Sequence, residues 1–270
     1  MKKNWKYSAL NMRVNSQKTK CQEMKVMVIS AAKLDFRELN EKIKSTSEDA
    51  CINDCYGQRF IACGAADKTI TINGTPGNAL GAYLDGALVQ VNGNAQDAVG
   101  DTMNGGKIVI HGNVGDALGY SMRGGEIYVK GDAGYRTGIH MKQYKDIKPV
   151  IVIGGSVGSF LGEYLAGGII IVLGLGAEDV PMGHFTGTGM HGGRIYIRTS
   201  ADADALCAEN LLVTQVIAEE ATPDDLTEIE AYISEFAAHF GMDSEKLAND
   251  RFLLLKPNTN NPYKQLYTKI

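Results

Sequence analysis

Cys51, Cys55 and Cys63 lie close together and are the first residues in this chain whose type and spacing could do chemistry, because clustered thiolates hold zinc or iron–sulfur centres. Their spacing matches no compact zinc or cluster run. With Cys21 and Cys207 they form an odd set of five, so reduced thiols in a cytoplasmic protein are the default reading. A second group, Glu178, Asp179, His184 and His191, has the types of a metal or acid–base site. Imidazoles in a glycine-rich corner more often hydrogen-bond the backbone of an irregular loop, and that reading is preferred here. Gly187-Thr188-Gly189-Met190-His191-Gly192 has the outline of a dinucleotide loop, and Asp101 to Ile108 faintly that of a phosphate loop. The first lacks a strand and helix around it, and the second lacks its first glycine and the hydroxyl residue after Lys107. Asp97, Asp116 and Asp132 recur near chain corners, where carboxylates commonly accept from local backbone N–H groups. The expectation is a chain with no catalytic, cofactor-binding or metal residues of its own.

The elements that would position these residues are set by a repeat. Gly74, Gly93, Gly112 and Gly131 form a ladder with a step of 19 residues, as do Gly81, Gly100, Gly119 and Gly138, and Gly86, Gly105 and Gly124. Leu84, Met103, Met122 and Met141 keep the same step, and the phase resumes at Gly155 and Gly162 after an insertion around Lys142–Pro149. Self-similarity at a fixed period marks a solenoid. At one phase of each repeat stand the pairs Ile70/Ile72, Val89/Val91, Ile108/Ile110, Ile127/Val129, Ile151/Ile153, Ile170/Val172 and Ile195/Ile197. Alternation of this kind is a short strand with one face inside. The predicted fold is an all-β core, a right-handed parallel β-helix of about six to seven turns, handed by the usual preference of parallel crossovers. A left-handed hexapeptide helix needs a period divisible by six, and a calcium-binding nonapeptide roll needs aspartates inside its glycine tracts; neither fits.

The ends read differently from the middle. Of the 32 glycines, 29 lie between Ile72 and Gly193. Residues 1–23 are read as a disordered basic extension, since Met1–Lys25 holds seven Lys/Arg against Glu23 alone and has no apolar stretch of a signal peptide. Residues 24–69 are read as a small α/β cap: a strand Lys25–Ser30, a helix capped by Asp35 and Glu38, and a strand near Arg59–Ala62. The β-helix takes 70–199, and 200–270 a helical extension with an extended tail from Lys256. In that extension Thr222, Pro223 and Asp225 start a helix whose Leu226, Ile229, Ile233, Phe236 and Phe240 form an apolar stripe ended by Gly241. The outward residues Thr71, Gln90, Val109, Tyr128, Val152, Ile171 and Tyr196 form a row with an apolar middle, which the chain's own helix is expected to cover. That row lacks the converging acids and bases of a glycan-active β-helix enzyme. A net charge of −4 argues against nucleic acid as the main ligand, and no segment is apolar for long enough to span a membrane.

The segments GNALGAYLDGA, GDTMNGGKIVIHGNVGDALGYSMRGGEIYVKGDAG and GTGMHGGRIYIR, preceded by YGQRFIACG, resemble the GXGXG domain at the C-terminal end of the glutamate synthase large subunit. The likeness runs from about Lys25 to Arg198, and the closing NPYKQLYT is similar to stand-alone forms of the domain. The β-helix subunit of formylmethanofuran dehydrogenase is similar in its repeats. The resemblance implies a β-helix that holds other catalytic parts in register: an amidotransferase that releases ammonia from glutamine, and a flavin domain that converts 2-oxoglutarate to glutamate. Neither part is visible in these 270 residues. The implied partners are a glutaminase-type amidotransferase chain and a flavin-dependent glutamate synthase chain, with FMN and iron–sulfur centres on those chains. A second reading is an accessory β-helix subunit of a formylmethanofuran dehydrogenase-like complex. The electron donor and a homo-oligomeric state are left open.

Overall fold

The computed structural model describes residues 26–177, 180–208, 211–213 and 216–258. The expected extension over 1–23 and the segment NPYKQLYT lie outside the described residues. Nine strands stack in chain order and in parallel: β1 (Val26–Ser30), β2 (Asp49–Tyr56), β3 (Thr69–Thr75), β4 (Asp85–Asn92), β5 (Gly105–Ile110), β6 (Glu126–Val129), β7 (Val150–Ile153), β8 (Ala166–Val172) and β9 (Gly192–Arg198). The result is a parallel β-solenoid of about eight turns, roughly 38 Å along the stack at ~4.8 Å per step. The register joins like to like, with Ile70, Val89, Ile108, Ile127, Ile151, Ile170 and Ile195 in one row. Every inward pair named from the sequence is fully buried.

The six to seven turns expected from the repeat are therefore too few. β1 and β2 belong to the same sheet, and Ile29, Ala50 and Ile52 extend its core. The glycine step does not announce these turns because α1 (Phe36–Ser45), and not a glycine corner, connects β1 to β2. The capping box of α1 is present: the Asp35 carboxylate accepts from the backbone N–H of Arg37 and Glu38, and Glu38 accepts from that of Asp35. Leu39 and Ile43 bury against the end of the column. The strand expected near Arg59–Ala62 is a turn, with Phe60 and Ala62 at φ 56° and 61°. These residues stand where Ala79 and Gly81 stand one repeat later and form the first of the regular corners.

Each corner alternates left-handed and buried residues. Ala79, Ala98, Ala117, Arg136, Phe160 and Phe185 have positive φ, and so do Tyr83, Thr102, Ser121, His140 and Tyr164. The left-handed region costs an L-residue about 1–2 kcal/mol, so the corners hold strain that the buried residues between them must offset. Two glycines show what a Cβ at a corner would meet. Gly119 combines φ +67° with an Ile151 Cδ1 that would sit 2.4 Å from any Cβ, and a Cβ on Gly131 would meet Asn113 Oδ1 at 1.9 Å.

At the other end the column is closed by antiparallel strands. A short helix, α2 (Ala203–Ala208), follows β9 and precedes β10 (Val216–Glu220). β11 (Phe252–Pro257) pairs with β9, and β10 pairs with β11. Between β10 and β11, α3 (Pro223–Phe240) and α4 (Ser244–Ala248) turn back along the outside of the sheet. Thr222 and Asp225 make the capping box of α3, and Gly241 ends it at φ 66°. Ile229, Ile233 and Phe236 of α3 pack on Val109, Tyr128, Val152, Ile171 and Tyr196, so the apolar outward row is covered by the chain's own helix. The Phe236 ring lies so close to Gly154 that a Cβ there would be 2.8 Å from it. Among the described residues no helix is long and apolar enough to cross a membrane.

Candidate functional site

The three cysteines do not converge. Cys51 is half-buried and faces Asn53 and Asn73, Cys55 is buried in the core beyond an irregularity in β2, and Cys63 lies in the following turn. Burial pushes the Cys55 thiol up to about 11, which disfavours the thiolate that a metal requires. His184 and His191 also part company. His191 Nδ1 lies 3.1 Å from the carbonyl oxygen of Gly189, while the backbone N–H of His184 donates to Ser159 Oγ. Glu178 and Asp179 lie outside the described residues. No group of three or more His, Cys, Asp or Glu among the described residues could hold a metal ion.

The recurring acids act between turns rather than within them. Asp97 Oδ1 accepts from the backbone N–H of Asp116, Asp116 from Tyr135 and Asp132 from Ser156. Asn94 and Asn113 do the same for Asn113 and Asp132. The expected local bonds are thus bonds to the next repeat, and the side chains stitch the stack lengthwise.

Two polar clusters under α3 escaped the sequence reading. The Tyr128 hydroxyl lies 2.9 Å from Glu126 and 3.0 Å from Glu235, and Lys107 bridges both carboxylates. The Tyr196 hydroxyl lies 3.0 Å from Glu228, which also receives Arg194 and Lys148 at 2.8 Å each. Burial pushes Tyr196 up to about 12 and raises Tyr128 as well, where the Glu126 charge adds to it. Burial alone would raise Glu228, but bonds from Lys148 and Tyr196 and the Arg194 charge outweigh it and hold the carboxyl below its ordinary range. Both tyrosines are therefore kept as neutral donors to fixed carboxylates, an arrangement that fastens a helix.

Two of the concave regions are lined by both cations and histidines. One, of about 800 Å³, lies near the end of β9 against Pro181, His184, Arg198 and Arg251. Its arginines are already committed, Arg198 to Asp250 and Leu173, Arg251 to Glu220 and the carbonyls of Ser200 and Ala201. The other is a shallow groove of about 360 Å³ on the left-handed corner, lined by Tyr120, Arg123, His140, Lys142, Tyr164 and His191 among others. Its rings are ordered: His140 stacks on Tyr164 at 5.0 Å and 9°, and Tyr120 meets His140 edge-on at 6.0 Å. In the same turns Phe160 stacks on Phe185, with Arg136 over the Phe160 ring.

Comparison with known families decides the relationship. The sequence model of a family described as the GXGXG motif matches residues 32–257. The chain belongs to the GXGXG motif family. The C-terminal domain of the glutamate synthase large subunit is a member, in keeping with the resemblance carried by the repeats. The GXGXG chain is also similar to an uncharacterized protein of Methanocaldococcus jannaschii, 43% identical over 91% of this chain and 97% of that protein. The solenoid, its glycine corners and the helix that covers the outward row all lie within the matched GXGXG region, and so do both concave regions.

Proposed function

We propose that this chain is a non-catalytic structural subunit of a glutamate synthase-type assembly. It would hold a glutaminase-type amidotransferase chain and a flavin-dependent synthase chain at a fixed separation. The observation that carries this reading is the extent of the GXGXG match, residues 32–257, within which the cysteines do not converge and the carboxylates that repeat along the column bond the next turn. Ammonia released at one site and consumed at another is lost to water unless the two sites are aligned, and small misplacements of reacting groups are costly. A stiff column about 38 Å long, with every inward row interlocked, is suited to that task. FMN and iron–sulfur centres would sit on the partner chains, and the chemistry would take place there.

The test is affinity purification of the tagged protein from its native cells at moderate salt, with partners identified by mass spectrometry. Recovery of a glutaminase-type chain together with a flavin-dependent synthase chain is the expected result. Recovery of the subunits of a formylmethanofuran dehydrogenase-like complex in their place would overturn it.

A further inference from the structure

We propose that the corner groove of Tyr120, Arg123, His140, Lys142, Tyr164 and His191 is the docking site for an acidic segment of a partner chain. This rests on the scaffold reading above and gives it an address on the surface.

Charge is the first argument. The chain as a whole carries −4, yet the lining of this groove holds two cations and two imidazoles and no acid. Neither Arg123 nor Lys142 has an acidic partner among the described residues. Arg123 Nε donates to the carbonyl of Ser121, which fixes the guanidinium at the rim. The acid of the adjoining turn, Glu163, is engaged by Arg136 at 3.0 Å and does not neutralise the groove. Cations with no internal counter-charge favour carboxylates from outside, and the planar guanidinium can take one in two-point fashion.

Shape is the second. Tyr120 and Tyr164 are 39% and 45% exposed, and with His140 between them they form a row of packed aromatic rings beside the cations. Aromatic and arginine side chains are the residues that anchor protein interfaces.

The experiment uses the full chain with its co-expressed glutaminase-type and synthase-type chains. Affinity is measured for wild type, for the charge reversal R123E/K142E, for the milder R123Q/K142Q, and for K33E/K42E on the remote cap. A photo-cross-linking residue replaces Tyr164 in one sample and Tyr83, in the same register outside the groove, in another. The expected result is a loss of about tenfold or more in affinity for R123E/K142E. A smaller loss is expected for R123Q/K142Q and none for K33E/K42E, with the differences shrinking as salt rises. Cross-links from position 164 should map to a partner peptide rich in Asp and Glu, and those from position 83 should not. Assembly with unchanged affinity in R123E/K142E would overturn the groove and leave the scaffold standing. Failure of the wild-type chain to assemble with either partner would overturn both.

Discussion

The hydroxyl of Tyr128 lies 3.0 Å from Oε2 of Glu235, joining the outward face of β6 to the helix that covers it. Two turns earlier on that helix, Tyr196 and Glu228 repeat the relationship at the same distance, again with cations alongside. The two pairs pin α3 at separate points along the stack, while Ile229, Ile233 and Phe236 fill the space around them.

Tyr128→Phe removes the one hydroxyl proton that two flanking carboxylates compete for and should lower stability by about 1–2 kcal/mol in urea denaturation. A double-mutant cycle with Glu235→Gln should show coupling of roughly 0.5–3 kcal/mol. Additive effects would mean that the hydroxyl and the carboxylate do not act together.

The packing of the same helix makes a larger claim. Phe236 is fully buried and rests on Gly154. Truncation to alanine should cost about 3–5 kcal/mol, and a change below about 1 kcal/mol would show that α3 does not cover the outward row in solution.

His239 predicts a pH dependence. Its Nε2 is buried without a hydrogen-bond partner; Glu235 Oε1 lies 3.4 Å away but is already engaged by Lys107. Burial, with the Lys107 charge adding to it, lowers the imidazole below its ordinary value and outweighs the opposing Glu126 charge. The unfolded chain then binds a proton at a higher pH than the folded one, so stability should fall as pH drops through about 6.5. His111, lowered by burial, acts in the same direction. Stability measured by denaturant titration from about pH 8 to about pH 5.5 should lose part of this slope in His239→Gln. An unchanged slope would remove His239 from the account. The lowered carboxyls of Asp225 and Glu228 give the same sign, but only at more acid pH.

Among the described cysteines, alkylation should take Cys207 first, because it is exposed, and Cys55 last, because it is buried and its thiol is pushed up to about 11. Mass spectrometry of a timed reaction reads the order directly. Rapid modification of Cys55 in the folded protein would contradict its placement in the core.

The corners test the origin of the repeat. Gly119→Ala should destabilise by about 1–2 kcal/mol from its left-handed backbone and by roughly a further 1–3 kcal/mol from contact with Ile151. Gly176→Ala, at φ +81° with open space around it, should show the backbone cost alone. Equal losses in thermal or urea unfolding would mean that close approach does not explain the ladder.

The inward rows were legible because alternation of β-branched residues at a constant step leaves one way to stack them, and the register follows residue by residue from Ile70 to Ile195. The helix α3 and its stripe were legible for a similar reason, through Thr222, Pro223 and Gly241. The first turn was not, since α1 replaces the glycine corner that marks the others, and in the second Ala62 stands where the ladder has Gly81. Non-glycine residues at positive φ, such as His140 and Tyr164, were equally hidden. Nothing in their type announces a left-handed backbone, and only the pull of the buried rows on either side imposes it.

For function the division is sharper. The repeat and the segments around it determined by themselves that this chain is a glycine-cornered β-solenoid of the GXGXG family. Only the tertiary structure decided what its polar residues do. Tyr128 and Glu235 are far apart in sequence and meet because α3 folds back over the outward row, whereas Arg123, Lys142 and Tyr164 become neighbours because stacking brings residues about 19 to 25 apart to within one strand spacing. The same stacking lets Asp97 and Asp116 bond the next turn and leaves Cys51 and Cys55 on opposite faces of β2, so residues that looked available for chemistry serve the column.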